Sequence, residues 1–359
     1  MKRVVIGMSG GVDSSVAAYV LQKQGYDVVG VFMNNWEETD EDGACTAQED
    51  YADAKSVCLK LNIPFYSVNF AKEYWERVFT YFLEEYKKGR TPNPDVLCNS
   101  EIKFRSFLDY AMQNLDADYI ATGHYVRNLV KDGEVKLLKG VDPKKDQSYF
   151  LSFLNRDQIS KALFPIGDIE KSEVRRIATE LNLRTATKKD SMGICFIGER
   201  NFTKFLSSYL PAQKGDMVDM DTMQKVSDHM GLMYYTIGQR RGLGIGNKGA
   251  GERWYVADKD IEKNILYVVE GGDNPRLFHR GFTSTVSNFI NPIADGKRHL
   301  LIKYRHQQMQ KGATLIKEGE HITVLFDEVQ SGLTPGQFGV FYDGEECLGG
   351  AIIDEIIKE

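Results

Sequence analysis

The chain has 359 residues, 42% of them hydrophobic and 27% charged, and a formal net charge of −6. That length accommodates two or three domains with a sizeable core, and the acidic balance excludes a surface coated in basic charge while leaving room for a local nucleic-acid footprint. Five cysteines without C-x-x-C spacing exclude a disulfide framework and a zinc ribbon, and fit a reducing, cytoplasmic setting.

The first apolar run, Val4–Met8, is too short for a signal peptide, and glycines and Asp13 interrupt it at once. No apolar run approaches the ~18 residues of a membrane span, so no membrane association is expected. Val4–Met8 reads as a strand, Ser14–Gln24 as a helix and Asp27–Met33 as a second strand. An acidic, apolar-poor loop, Asn34–Gly43, leads to a helix in Ala47–Leu61, a strand at Phe65–Asn69 and a helix in Tyr74–Lys88. Lys88–Pro94 is a Gly/Pro-punctuated turn, Cys98–Asn114 a helix and Tyr119–Gly123 a strand end. Strands alternating with helices predict a doubly wound parallel sheet. Helical patterns continue in Gln158–Leu163, in Ser172–Leu181 with Ser172 as its cap, and in Asn201–Tyr209. After about Pro211 short β-rich runs take over: Trp254–Ala257, Ile265–Val269, His299–Tyr304, His321–Phe326 and Gln337–Tyr342. They predict small β-rich domains, the last barrel-like. The expected division is 1–208, 209–276 and 277–359.

Gly7-Met-Ser-Gly-Gly-Val-Asp-Ser14 follows a strand and opens a helix, the position where backbone N–H groups and the helix N-terminus receive an anion. It has no Gly-Lys-Ser/Thr ending, which excludes a Walker loop, and Ser9 breaks the dinucleotide fingerprint. The remaining reading is the loop of the ATP pyrophosphatases, holding the phosphates that leave as pyrophosphate. Asp13 is unfavourable beside phosphate unless Mg²⁺ bridges the two, which implies a metal carried in by ATP.

Cys58 and Cys347 sit in apolar runs and read as small buried hydrophobes; Cys45 lies in the acidic loop, where carboxylates disfavour thiolate. Cys98 stands where a helix is predicted to begin, with Asp95 three residues earlier as a proton acceptor or donor. Cys195 follows Lys188-Lys189, which would supply positive potential to a thiol. Two such cysteines beside an adenylating loop suggest sulfur chemistry. Inert core packing is the alternative for either alone.

Together these segments resemble the tRNA-specific 2-thiouridylases (the MnmA/TrmU family), which replace O2 of the wobble uridine with sulfur. The resemblance covers Gly7–Ser14, Asn34–Glu38, Thr91–Asn99, Ala121–Tyr125, Lys145–Phe150, Asp190–Phe196, Gly231–Tyr234, Thr236–Gly244 and Thr334–Gln337. Thr91–Asn99 combined with Asp190–Phe196 is its most specific part. The resemblance implies ATP contacts at Gly7, Met8, Ser9, Gly10, Gly11, Val12, Asp13, Ser14, Met33 and Gly123. It implies contact with the target base at Asn93, Pro94 and Asp95, Cys98 as nucleophile and Cys195 as persulfide carrier. It implies tRNA contacts at His124, Lys145, Asp146, Gln147, Tyr304, Arg305 and Gln337. One departure is Met192, where a smaller polar residue is expected.

The implied chemistry is adenylation of the uridine O2 with release of pyrophosphate, then sulfur transfer from Cys195 and release of AMP. One route leaves a transient Cys98–Cys195 disulfide, which requires Cα atoms within about 7 Å. The partners implied are tRNA and a sulfur donor such as a cysteine desulfurase or sulfur-relay protein. An iron–sulfur centre on Cys98, Cys195 and Asp95 ranks second, because cysteine-rich spacing is absent. A different ATP pyrophosphatase, acting on a small carboxylate or carbonyl, is the main rival. The clusters Lys144-Lys145, Lys188-Lys189, Arg240-Arg241, Lys297-Arg298-His299 and Lys303-Tyr304-Arg305 each read singly as solvated surface charge, while their repetition through the second half suggests a composite phosphate-binding face. Tyr304 is equally suited to stacking on a base and to packing.

Overall fold

A computed structural model describes residues 1–36, 46–131, 133–190, 202–246 and 251–358. Five strands form a parallel sheet: β1 (Arg3–Gly7), β2 (Asp27–Asn34), β3 (Phe65–Asn69), β4 (Tyr119–Ala121) and, beyond the hairpin β5 (Val126–Lys131) and β6 (Glu134–Lys139), β7 (Ala162–Leu163). Their order is β3-β2-β1-β4-β7, so the direction of winding reverses between β1 and β4, the place at which open α/β sheets receive ligands outside the carboxyl ends of their strands. Alternate residues of β1 serve opposite faces. Val4 and Ile6 join one buried cluster, with the helix Val12–Lys23 and Val57 and Cys58 of the helix Thr46–Leu61. Val5 joins another, with Tyr74, Phe79, Phe104 and Phe107 of two longer helical stretches. The doubly wound expectation is met. Cys58 and Cys347 are buried hydrophobes, as expected.

Three local expectations are corrected. The helical pattern of 158–163 is a short helix, Arg156–Ser160, followed by β7, whose apolar pair completes the sheet edge beside β4. Ser172 caps nothing: the helix Lys171–Glu180 starts one residue earlier, after Glu170. The helix expected from Cys98 begins at Pro94, where proline fits the first helical position and the Asn93 side chain accepts from the Asp95 N–H at 3.1 Å.

From Gly215 on, the described residues are mainly β, with short helical turns at Leu232–Tyr234 and Pro275–Leu277. Strands β8 (Gly215–Asp219), β9 (Lys225–His229), β10 (Trp254–Asp260) and β11 (Ile265–Glu270) make one small sheet. The last sheet comprises β12 (Phe278–Ser284), β13 (Ser287–Phe289), β14 (Gly296–Lys303), β15 (Lys311–Glu318), β16 (His321–Ser331), β17 (Phe338–Asp343), β18 (Glu346–Ile352) and β19 (Glu355–Ile357). The segment β12–β13 pairs with β16 at one end and with β18 at the other, which closes the sheet into a barrel. β6 pairs with β18, so the β5–β6 hairpin of the first half extends the barrel sheet.

The parts meet at the turn 88–91. Lys259 of β10 donates to the Gly89 carbonyl at 2.8 Å. Arg90 donates to Asp354 and to the Ile353 carbonyl, each at 2.9 Å, and lies 2.8 Å from Glu85. The Thr91 N–H donates to Pro335 O at 2.9 Å, and Gln337 Nε2 to Thr91 O at 2.7 Å. The small sheet and the barrel therefore both grip the chain just before Asn93–Cys98.

Candidate active site

The loop after β1 is shaped by its hydroxyls and glycines. Ser9 N–H donates to Ser14 Oγ at 3.2 Å, Gly11 N–H to Ser9 Oγ at 3.3 Å, and Ser15 Oγ to Gly11 O at 2.7 Å. Gly10 has φ +73°, and a Cβ there would stand 2.4 Å from the Asp50 carbonyl. Only glycine suits that position. At Gly123, just beyond β4, a Cβ would meet Ser14 N at 2.7 Å and Asp13 C at 2.8 Å. At Gly7 it would meet Met33 Cε at 2.9 Å. The expected ATP-contact residues Gly7–Ser14, Met33 and Gly123 are thus brought together at the switch point of the sheet. Missing side chains leave a backbone cradle at a helix N-terminus, which suits the phosphates of a nucleotide.

Asp13 projects from the first turn of the helix Val12–Lys23. Its carboxylate accepts from Tyr125 Oη at 2.7 Å and from Lys171 Nζ at 2.7 and 2.8 Å. Burial, then the Asp13 charge, push the Tyr125 phenol up, so it stays a donor. Lys171 Nζ also lies 2.7 Å from Asp190 Oδ1. Asp190 further accepts from Lys145 Nζ at 2.6 Å and Arg175 Nη2 at 2.7 Å. Partial burial works against the Asp190 charge, but hydrogen bonds from Lys145 and Lys171 outweigh it and hold the carboxyl at about 2. An anionic Asp13, exposed on about a third of its side chain, fits a Mg²⁺ ion arriving with nucleotide phosphate. Sequence reasoning missed Tyr125, Lys171 and Asp190 as a group. The available signal was Lys171 itself, a cation in the first turn of a helix, where the helix field disfavours it unless it has a carboxylate elsewhere.

Below the loop, residues 94–114 run as one helical stretch whose middle, Cys98–Ser106, has the wide π form. Such widening is frequent at functional sites. Cys98 begins this stretch one turn into the helix, buried at 1% exposure, and Phe107 further along lies against Gly7. Asn99 Nδ2 donates to Phe150 O at 3.2 Å. Asn93, the cap, also hydrogen-bonds with the Tyr149 hydroxyl, which donates to Phe338 O at 3.1 Å. His306 lies over Phe150 with centroids 4.4 Å apart, and the Asp95 charge reaches it. Asn93, Pro94, Asp95 and Cys98 therefore sit together beside the 145–150 segment and the end of β14.

Cys195 and Met192 lie outside the described residues, as do Cys45 and most of the acidic loop, so the Cys98–Cys195 distance is not part of the described geometry. Among the described residues no group of three or more His, Cys, Asp or Glu is arranged to hold a metal ion. Of the two lysines expected to lend positive potential to Cys195, Lys188 is held by Asp50 at 2.7 Å and Asp53 at 2.6 Å.

The expected tRNA contacts have internal partners in this structure. His124 is buried, its Nδ1 2.8 Å from Thr122 Oγ1, and burial, aided by Lys103, keeps it neutral. Asp146 is 5% exposed and accepts from Gly140 N, Ser148 N and Ser148 Oγ. Gln147 Oε1 accepts from Tyr125 N at 2.9 Å. Tyr304 is 3% exposed and its ring packs on Phe326 in the barrel core. Arg305 Nη2 donates to Ile237 O and Gly332 O at 2.9 Å and to Thr334 Oγ1 at 3.2 Å, joining the small sheet to the barrel. Of the basic pairs, Arg240-Arg241 and Lys297-Arg298 are exposed. No helix among the described residues is long and apolar enough to cross a membrane.

Three family models match in succession: a "tRNA methyl transferase HUP domain" over residues 2–199, a "tRNA methyl transferase PRC-barrel domain" over 203–270 and an "Aminomethyltransferase beta-barrel domain" over 279–353. The chain is 58% identical to tRNA-specific 2-thiouridylase MnmA 1 of Geobacillus kaustophilus, across 99% of this chain and 96% of that protein. It is 57% identical to tRNA-specific 2-thiouridylase MnmA of Alkaliphilus oremlandii, across 99% and 98% of the two chains. The Staphylococcus aureus protein of the same name is also 57% identical, across 99% and 96%.

Proposed function

The chain belongs to the tRNA-specific 2-thiouridylase family, and from that premise we propose that it uses ATP to replace O2 of the tRNA wobble uridine with sulfur. The observation that carries the reading is the 57–58% identity along 99% of the chain with relatives named for that reaction. The glycine cradle at Gly7–Ser14 and the Asn93–Cys98 helix start supply the two stations such chemistry needs.

In the proposed reaction the loop amides and the N-terminus of the helix Val12–Lys23 receive the β- and γ-phosphates, and Gly123 and Met33 bound the nucleotide. Mg²⁺ held through Asp13 would offset phosphate charge as pyrophosphate departs. The uridine, splayed out of the anticodon stack, meets Asn93–Asp95. Its O2 attacks the α-phosphorus, forming an O–P bond as the P–O bond to pyrophosphate breaks. The terminal sulfur of a Cys195 persulfide then forms a bond to C2. Cys98 thiolate attacks Cys195 Sγ, breaking the persulfide S–S bond, and AMP leaves. C2 retains the sulfur, and the products include a Cys98–Cys195 disulfide that a thiol donor must reduce. Asp95 manages the proton. Loading Cys195 requires a donor of sulfane sulfur, such as a cysteine desulfurase or a sulfur-relay protein.

Mass spectrometry of wobble nucleosides after incubation with ATP and a persulfide donor tests the reading. Exchange of oxygen for sulfur supports it. An added methyl group, or pyrophosphate release driven by a small acid and not by tRNA, would sink it. Cys195→Ala is expected to abolish thiolation while retaining tRNA-dependent pyrophosphate release.

A further inference from the structure

Four charged side chains form a continuous ladder that this reaction leaves unexplained. Asp13 of the loop is held by Lys171, Lys171 by Asp190, and Asp190 by Lys145, with every step between 2.6 and 2.8 Å. Charges alternate along it from the phosphate cradle to the 145–147 segment. One end is fixed. Arg175 donates to Ala186 O at 2.8 Å, to Lys188 O at 2.6 Å and to Asp190 Oδ1 at 2.7 Å, tying the chain before Asp190 to the helix Lys171–Glu180. The other members can exchange partners. The Lys171 side chain is 12% exposed, so its ammonium needs a carboxylate, and two compete for it. Lys145, at 37% exposure, is open to outside anions.

We propose that Lys171 and Asp190 are positioning residues that couple tRNA to ATP. An RNA phosphate that draws Lys145 off Asp190 leaves Asp190 to take Lys171, and Asp13, keeping only the Tyr125 hydroxyl, turns to the magnesium of ATP. The inference rests on the proposed function, with Lys145 facing tRNA and Asp13 facing ATP-bound magnesium. Its sign follows from the alternation: removing Lys145 from Asp190 strengthens the hold of that carboxylate on its remaining cations, Arg175 and Lys171, so tRNA and nucleotide favour each other's binding. Linkage makes the effect reciprocal. The nucleotide is then held tightly only when there is a uridine to activate.

The opposite sign has an equally definite cause. Were Lys171 to follow the phosphates instead, Asp190 would grip Lys145 harder, and the two substrates would oppose one another.

Calorimetric binding of α,β-methylene-ATP with Mg²⁺ to the full chain, with and without saturating unmodified tRNA, separates these cases. Wild type is expected to bind the analogue about tenfold more tightly with tRNA present. In Asp190→Asn the ratio falls to near one. Lys145→Met, without RNA, is expected to bind the analogue more tightly than wild type does alone, because Lys171 has already shifted to Asp190; a residue with only a structural role gives no such gain. Undiminished linkage in Asp190→Asn overturns the ladder, as does unchanged or weaker analogue binding by Lys145→Met, or antagonism between the substrates. The Lys145→Met arm needs no RNA, so it still reads the ladder if tRNA fails to bind the wild type, an outcome that counts against the proposed function.

Discussion

Around the phosphate loop, space is made by leaving side chains out; around the turn 88–91, parts are joined by side chains reaching across. At Gly10 and Gly123 an added Cβ would enter the backbone of a neighbouring segment. At Arg90, Lys259 and Gln337 the reverse holds, because each carries a long side chain to a carbonyl or carboxylate on another part of the molecule. A cradle made of backbone tolerates almost no substitution, whereas a clamp shared among several hydrogen bonds weakens by degrees.

The largest expected effect is therefore at the cradle. Gly123→Ala places a methyl group 2.7 Å from Ser14 N and 2.8 Å from Asp13 C. Those are backbone atoms that no rotamer change can move. Analogue affinity is expected to fall ~1,000-fold, equivalent to about 4 kcal/mol. A loss below tenfold, measured by the same calorimetry, would show that the cradle yields and the contrast with the turn is overdrawn.

Next comes the clamp. Arg90→Ala removes a cation from Glu85, whose side chain is 4% exposed, and from Asp354, leaving Glu85 with Lys88 at 3.0 Å. Breaking a buried ion pair of this kind costs about 3 kcal/mol. Urea unfolding checks it, and a loss under 1 kcal/mol would mean the neighbouring Thr91–Pro335 and Thr91–Gln337 bonds hold the turn alone.

Lys259 sharpens the comparison through pH. Burial pushes its ammonium down to about 8 from its ordinary 10.5. Between those two values the unfolded chain holds the proton that the folded chain has shed, so stability rises with pH across that window. The penalty of the buried charge is fully present below about 8. From pH 7.5 to 9.5 a gain of about 1 to 2 kcal/mol is expected, and Lys259→Met should abolish it. If the gain persists in that variant, another group is responsible.

How much of this was legible in the sequence follows the same division. Gly7–Ser14 could be read because a backbone cradle needs glycine at fixed spacing between a strand and a helix, and Gly123 and Met33 fell at strand ends. The β5–β6 hairpin went unread although Asp132-Gly133 between apolar runs is its usual signal, and its docking on β18 is a long-range contact that no local pattern encodes. Arg305 and Gln337 look like free polar groups in sequence. Only the fold shows Arg305 meeting carbonyls of the small sheet and the barrel, and Gln337 meeting Thr91. The ladder was invisible for the same reason, since Asp13 and Lys171 are separated by 158 positions.

The smallest expected effect bears on the residue that sequence left evenly divided. Tyr304 donates through its hydroxyl to Gln330 Oε1 at 3.2 Å and Ser331 O at 3.3 Å, while its ring packs 5.4 Å from Phe326. Tyr304→Phe keeps the ring and deletes the donor. A residue serving the barrel should lose about 1 kcal/mol of stability, the worth of a hydrogen bond in a protein interior, with tRNA affinity unchanged. A residue whose hydroxyl touches RNA should show the converse, a weaker complex and an unaltered unfolding transition. The second result would mean that the segment after β14 rearranges to receive tRNA and trades its internal partners for external ones. Arg305, with three internal acceptors of its own, would then have to move with it, and the junction between the small sheet and the barrel would open whenever substrate binds.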